Sequence, residues 1–431
     1  MRAAFAVLVL FALAADLEGQ RAPQARCNSG DRYCSQIASI VRNARVQRAF
    51  AYIDRTDDAA LRDLILLTQI AAPPFKESER ARKYAEMLRA AGADSVGIDE
   101  VGNVVALRRG TRRNRVVGVA GHLDTVFPEG TDVRVRQHGD TLFAPGVGDN
   151  TRGLIAMLQV LRSLVWANLR TESDLWFIGT VGEEGLGDLR GVKHLFRQGE
   201  PRIDAFIAVD GSSDEEITNQ AVGSKRYRVT FNGDGGHSYG DFGAASPIHA
   251  LGRAVHVFDE AARRFTATNP GTTYNVGRIS GGTSVNAIAS SAWMEVDMRS
   301  ASPQRLDAID SIFHVSMVRA LNEQNELRKE GAELTLEARL VGDRPSGITA
   351  GTTPLVQRAI AATRYLGLAP ALDESSTDAN VPIARGIPAI TIGRGGISAN
   401  AHAPEEYWVN SNSPRGIRRI LLITLAEAGY R

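Results

Sequence analysis

The chain has 431 residues, 43% of them hydrophobic and 23% charged, with a formal net charge of only +1. That length exceeds what one hydrophobic core usually serves, so two domains are expected, one inserted in the other. The near-zero charge leaves no electrostatic footprint for nucleic acid.

The chain opens MRAAFAVLVLFALAADLEG, with one arginine, an apolar run over 3–15 and then small residues. This reads as a secretory signal peptide over residues 1–20, too short to be a membrane span. A secreted or periplasmic protein is expected. The only two cysteines, Cys27 and Cys34, follow soon after, and in an exported protein a pair closing so small a loop is read as a disulfide.

Helical periodicity occupies 57–72 and 77–91, divided by the breaker Pro73-Pro74. Short strands follow around 94–109. The basic cluster LRRGTRRNR (107–115) reads as a solvated hairpin turn leading into an apolar strand at 115–120. A strong helix covers 151–165. DLWFIGTV (174–181), IDAFIAVD (203–210) and GIPAITIG (386–393) are continuous apolar runs, as strands covered on both faces should be. Helices at 354–366 and at the C-terminus complete the pattern. The fold class is therefore α/β, a mostly parallel or mixed sheet with helices on both faces.

The middle differs. Strand 225–232, helix 247–263, strands 272–279 and 285–298, helix 303–328 and strand 332–341 spell β-α-β-β-α-β, a ferredoxin-like α+β unit. The expected division is a catalytic domain over 21–221 and 344–431, with an inserted lid or dimerisation domain over 222–343.

Three apolar strands end, at their carboxyl sides, in acids or histidine: His122-Leu123-Asp124, Glu183-Glu184 and Asp210. Ligand sites in open α/β sheets lie beyond those ends. Asp149, in APGVGDNTRG, precedes a helix, and His402, in GISANAHAPEEYW, follows strand 386–393. Singly, each has a plain reading as a helix cap, turn or surface residue. Together, two histidines and three carboxylates without cysteine are the donors of a catalytic metal site with a place left for water. Five ligands serve two ions if one carboxylate bridges, and paired metals about 3.5–4 Å apart lower the pKa of a shared water toward ~7. Asp124, two residues past His122 on an extended strand, is placed to take the proton of the second ring nitrogen through its carboxylate. The alternative is a buried His–Asp pair with no metal. One of the adjacent glutamates binds metal while its neighbour takes a proton from the water, which favours an enzyme over a binding protein.

In HLDTVFPEG, APGVGDNTRG, GEEG, AVDG and AHAPEE, in that order and spacing, the sequence resembles the M20 metallopeptidases, the aminoacylase and carboxypeptidase relatives with co-catalytic zinc. The resemblance runs from about residue 57 onward. It implies two Zn2+ per subunit, with Co2+ or Mn2+ as substitutes: His122, Asp149 and Asp210 on one ion, and Asp149, Glu184 and His402 on the other. Glu183 would be general base and acid, and Asp124 the orienting carboxylate. His237, in GGHSYG of the lid, falls where the family uses a partner-subunit histidine on the oxyanion, which implies a homodimer. Asn286 and Arg299 match substrate-contacting positions, and Arg344, in GDRPSG, is a candidate clamp for a substrate carboxylate. The loop Glu374-Ser375-Ser376-Thr377 departs from the glycine-rich family pattern. The resulting expectation is an exported zinc exopeptidase of short peptides. An N-acyl-amino-acid deacylase on the same site is the second reading, and a non-catalytic peptide-binding protein the third.

Overall fold

The computed structural model describes residues 27, 30–199 and 202–430. The leader expected over 1–20 lies outside them. No helix among the described residues is long and apolar enough to cross a membrane.

The apolar runs form the centre of a nine-stranded mixed sheet. Strand Val116–His122 lies between Asp174–Thr180 and Ala205–Gly211, parallel to both, and Ala389–Gly393 extends the parallel set. Antiparallel strands flank it: Ser95–Ile98 and Val104–Arg108 at one edge, Glu216–Ala221 and Gly347–Ile348 toward the other. Both faces are covered, which is why the central strands are apolar without alternation. Leu154, Leu158 and Leu161 of helix Gly153–Trp166 and Ile420, Leu421 and Leu425 of helix Ser413–Glu427 pack with Val117, Val119, Ile207 and Val209. Val192, Phe196, Val381 and Ile383 pack with Ala120, Ile178, Phe206 and Ala208. Truncating one such leucine to alanine costs about 2–5 kcal/mol.

Two sequence expectations change here. The segment 107–115 is not a hairpin turn, because strand Asp174–Thr180 lies between the strands it joins. Its last arginine, Arg115, is tied inward by an ion pair of 2.5 Å with the buried carboxylate of Glu427. Two helices that sequence reading did not assign, Arg32–Arg42 and Ala44–Arg55, precede the third helix, Asp57–Thr68. Val46, Ala49, Phe50 and Ile53 bury one stripe of the second at helical spacing. Asp31 caps the first by accepting the N–H groups of Tyr33 and Cys34, and Cys34 is disulfide-bonded to Cys27.

A second layer has its own core. Strands Thr272–Gly281, Ser291–Ser300, Gly223–Asn232 and Thr335–Arg344 form an antiparallel sheet in that spatial order. Helices Pro247–Thr268 and Pro303–Glu326 cover it through Phe258 and Phe313, packed against Tyr227, Phe231 and Met294. The strand expected at 285–298 begins only at Ser291. Gly281 pairs with Ala292, so the ten residues between them are too long for a tight turn, and Ala287–Ile288 folds back to pair with Gly236–His237.

A third, small antiparallel sheet runs Ile397–Ala399, Tyr407–Val409, Thr141–Phe143, Arg136–His138. It anchors two segments that matter below: the one leading from Phe143 to Asp149, and the loop 400–406 that carries His402.

Candidate active site

The carboxyl ends of the parallel strands meet at one edge, and the small sheet lies against it. His122 ends strand Val116–His122, Asp210 lies near the end of Ala205–Gly211, and Glu183 and Glu184 sit in the turn after Asp174–Thr180. That turn depends on Gly182, whose φ is +66 and where a Cβ would collide with the Arg190 guanidinium. Asp149 lies in the irregular turn Val147–Arg152, ahead of helix Gly153–Trp166. His402 has φ +67, a left-handed conformation that only a tightly held loop imposes on a histidine.

His122 Nε2 is 3.1 Å from Asp149 Oδ1 and 3.5 Å from Asp210 Oδ1. His402 Nε2 is 3.4 Å from Asp149 Oδ2 and 3.0 Å from Glu184 Oε1. The two oxygens of Asp149 thus face different histidines. Ligand atoms gathered tetrahedrally about one ion at about 2.0–2.2 Å stand about 3.3–3.6 Å from one another, close to these separations. His122, Asp149 and Glu184 each offer a ligand atom within 4.8 Å of the others. The donor set fits a divalent cation.

The electrostatics point the same way. Burial disfavours a charged His122, yet Asp210 and Asp149 outweigh it and push its pKa well above the usual range. The carboxylates of Asp149 and Glu184 raise His402 to about 10. Burial works against the Asp149 carboxylate, but Arg394 and the two histidines hold its pKa well below the ordinary value. Such a concentration of negative charge demands cations, and the Arg394 guanidinium lies among the carboxylates.

Asp124 is fully buried, but its carboxylate does not serve the imidazole. His122 Nδ1 lies 2.9 Å from the Asp124 backbone carbonyl and 3.8 Å from its nearest carboxylate oxygen. The carboxylate instead accepts the N–H groups of Glu183 at 3.1 Å and Glu184 at 2.8 Å. The main chain orients the histidine, and the side chain fixes the glutamate turn.

Glu183 faces Arg344. Arg344 Nη1 donates to Glu183 Oε1 at 3.1 Å and to Ser376 Oγ at 3.2 Å, while Nη2 bonds the Glu183 carbonyl. Arg344 is therefore engaged by the glutamate rather than held out as a clamp for substrate. A guanidinium buried beside acids pairs with the nearest one. Burial raises the pKa of Glu183 well above the carboxylate range, Arg344 opposes the shift and Glu184 adds to it.

These residues line a cleft of about 400 Å³. Asp149, Glu183, Glu184, Asp210 and His402 line it, together with Arg226, Arg299, Arg344 and residues 375–377. Arg226 was not foreseen. It and Arg299 each give Nε to Asp297, at 2.8 and 2.7 Å, and Arg226 also reaches the Gly185 carbonyl at 2.9 Å. His237 and Asn286 are not at this cleft. They lie together on the exposed edge of the second layer, where the Ser238 N–H donates to the Asn286 carbonyl.

Two further residues escaped sequence reading. Glu406, 1% exposed, accepts the N–H groups of Gly146, Gly148 and Asp149 at 2.7–2.8 Å, and so holds the turn that presents Asp149. Its signal was the second glutamate of AHAPEEYW. Arg394 directs Nη1 to Asp149 Oδ1 at 3.2 Å and Asp210 Oδ1 at 3.1 Å. Nothing about an arginine after an apolar strand marks it in the sequence.

A model of peptidase family M20/M25/M40 matches residues 118–425. The uncharacterised protein YqjE of Bacillus subtilis is 25% identical over 357 residues, 78% of this chain and 90% of that protein. A tripeptidase of Staphylococcus aureus superimposes with a TM-score of 0.70 at 22% identity, covering 86% of this chain and 98% of the other. Aminopeptidase PepT of Bacillus cereus gives 0.68 at 21% identity, over 86% and 98%.

Proposed function

The chain belongs to peptidase family M20/M25/M40 and is a hydrolase of peptide or amide bonds, and we propose that it is an exported, zinc-dependent exopeptidase of short peptides. The observation that carries the metal reading is Asp149, whose two oxygens face His122 and His402 separately. In this reading His122, Asp149 and Asp210 hold one ion, and Asp149, Glu184 and His402 the other. Bound there, such ions would supply Lewis-acid polarisation of a carbonyl and of a water.

The remaining work falls to the chain's own residues. Glu183 is the general base: a buried carboxylate of raised proton affinity accepts a proton from water and hands it to the leaving amine. Asp124 holds that glutamate in place through its amide, and Arg344 through its carboxylate. Arg299 and Arg226 offer guanidinium groups to a substrate carboxylate across the cleft. His237 sits beside exposed Tyr239 and Phe242, away from the cleft. In a homodimer built through the second layer, which we read as the lid, it would donate to the oxyanion in the partner's cleft, with Asn286 beside it. Export is supported by the leader at 1–20 and by the Cys27–Cys34 disulfide.

The guanidinium groups that line the cleft also favour a second reading, since an N-acyl amino acid presents the same carbonyl and carboxylate to the cleft as a peptide. A hydrolysis screen of the zinc-reconstituted chain separates the two. One panel holds di- and tripeptides with free or blocked termini, and the other N-acyl amino acids. Turnover of peptides supports the exopeptidase, and the tolerated blocked terminus gives its direction. Preference for the acyl panel makes it a deacylase. Silence on both with zinc bound overturns the catalytic reading in favour of peptide binding.

A further inference from the structure

Arg394 follows directly on strand Ala389–Gly393 and is 4% exposed. One of its nitrogens, Nη1, lies within hydrogen-bond distance of three oxygens: Asp210 Oδ1 at 3.1 Å, Asp149 Oδ1 at 3.2 Å and Asn150 Oδ1 at 3.4 Å. The first two are the oxygens that face His122 Nε2. A fixed positive charge therefore shares the carboxylate oxygens of one half of the donor set. The other half is different. Asp149 Oδ2 and Glu184 Oε1 face His402; the hydrogen bond from Arg394 to Asp149 goes to the other oxygen, Oδ1, and no guanidinium is within ion-pair distance of Glu184 among the described residues.

Arginine keeps its charge at any pH at which the protein is folded. We propose that Arg394 makes the two metal positions unequal: it is a positioning residue that weakens cation binding by His122, Asp149 and Asp210, so that this position holds its ion less tightly than Asp149, Glu184 and His402 hold theirs. The inference rests on the metal-centre reading above. Its physical basis is twofold. Donation from Nη1 draws electron density from the oxygens that would bind the ion, and the guanidinium charge repels an incoming dication at short range.

The opposing effect is preorganisation, since Arg394 also draws the two carboxylates together. Both are held without it. Glu406 fixes the Asp149 backbone, and Asp210 is carried by a strand paired with Val116–His122 on one side and Ala389–Gly393 on the other. Removing the charge therefore strengthens the weaker position.

The test is calorimetric titration of the chelator-stripped full chain with Zn2+, in the parent and in Arg394→Met, Arg394→Gln and Arg394→Lys. The parent is expected to bind zinc in two resolved steps. Arg394→Met, with a neutral stem of similar length, should tighten the weaker step about tenfold, as removal of a unit charge that repels the dication at short range does, and leave the stronger one in place. Arg394→Gln carries the same expectation if the methionine variant does not fold. Arg394→Lys, which retains the charge, should resemble the parent. Equal steps in the parent, or a weaker step unchanged or loosened in a folded neutral variant, would overturn the proposal while leaving the metal centre intact. A parent that binds no zinc overturns the metal-centre reading itself, and this inference with it.

Discussion

The carboxylate of Asp124 accepts the backbone N–H of Glu184 at 2.8 Å, and that of Glu183 at 3.1 Å. The segment after one strand thereby fixes the turn after its parallel neighbour, where both glutamates stand. Asp124→Asn leaves one of the two amides without its acceptor, at a cost of about 1–3 kcal/mol in stability. The displaced Glu183 should lower kcat by about 10²-fold. Thermal melting and steady-state kinetics check both, and a variant with parental kcat would show that the turn does not need Asp124.

Glu406 does the corresponding work for Asp149. Its two oxygens accept three amides from residues 146–149, in a setting that raises its pKa through burial. Glu406→Gln replaces one acceptor oxygen by a donor, so at least one amide loses its partner. Zinc affinity is expected to fall 10–100-fold, about what loss of an outer partner of a ligand produces. Competition with a chromophoric chelator measures it. Unchanged affinity in a folded variant would mean that Asp149 is positioned by other contacts.

Asp378 gives the pH dependence. It is buried, its Oδ2 accepts the Thr180 hydroxyl at 2.5 Å, and burial raises its pKa to about 7. The folded chain therefore holds a proton there that the unfolded chain releases near pH 4. This contribution to stability is fully present below the unfolded pKa and is lost as pH rises through about 7. In chelator-stripped protein, the parent should lose up to roughly 4 kcal/mol from this group between pH 4 and 8. Asp378→Asn, neutral throughout, should lose correspondingly less. Denaturant unfolding across that range tests it, and parallel curves for parent and variant would contradict the assignment.

Much of this was legible in the sequence, for a physical reason. His122 and Asp210 stand at the ends of buried strands and Glu184 just beyond one, where a polar residue is conspicuous against an apolar run, and the topology of parallel sheets brings such ends together. The β-α-β-β-α-β order likewise predicts a separate layer, because each of its helices needs a sheet face to cover. What stayed hidden acts through the backbone or through space. Asp124 was legible as a partner of His122, yet its carboxylate binds amides of another strand's turn, and no spacing rule encodes that. Arg344 was read as a clamp because nothing in GDRPSG reveals Glu183 beside it. Arg394 and Glu406 act on Asp149 across about 250 residues of chain. The helix Ala44–Arg55 is a different case: the spacing of Val46, Ala49, Phe50 and Ile53 carried the signal.

Glu183→Gln keeps a side-chain oxygen for Arg344 while removing the base. Bound zinc and turnover are measured on the same preparation. Parental zinc content is expected, with kcat reduced about 10²–10⁴-fold, the range of a positioned general acid–base. Parental turnover in the zinc-loaded variant would contradict the assignment of Glu183 as base, and the proton would have to be carried by another group.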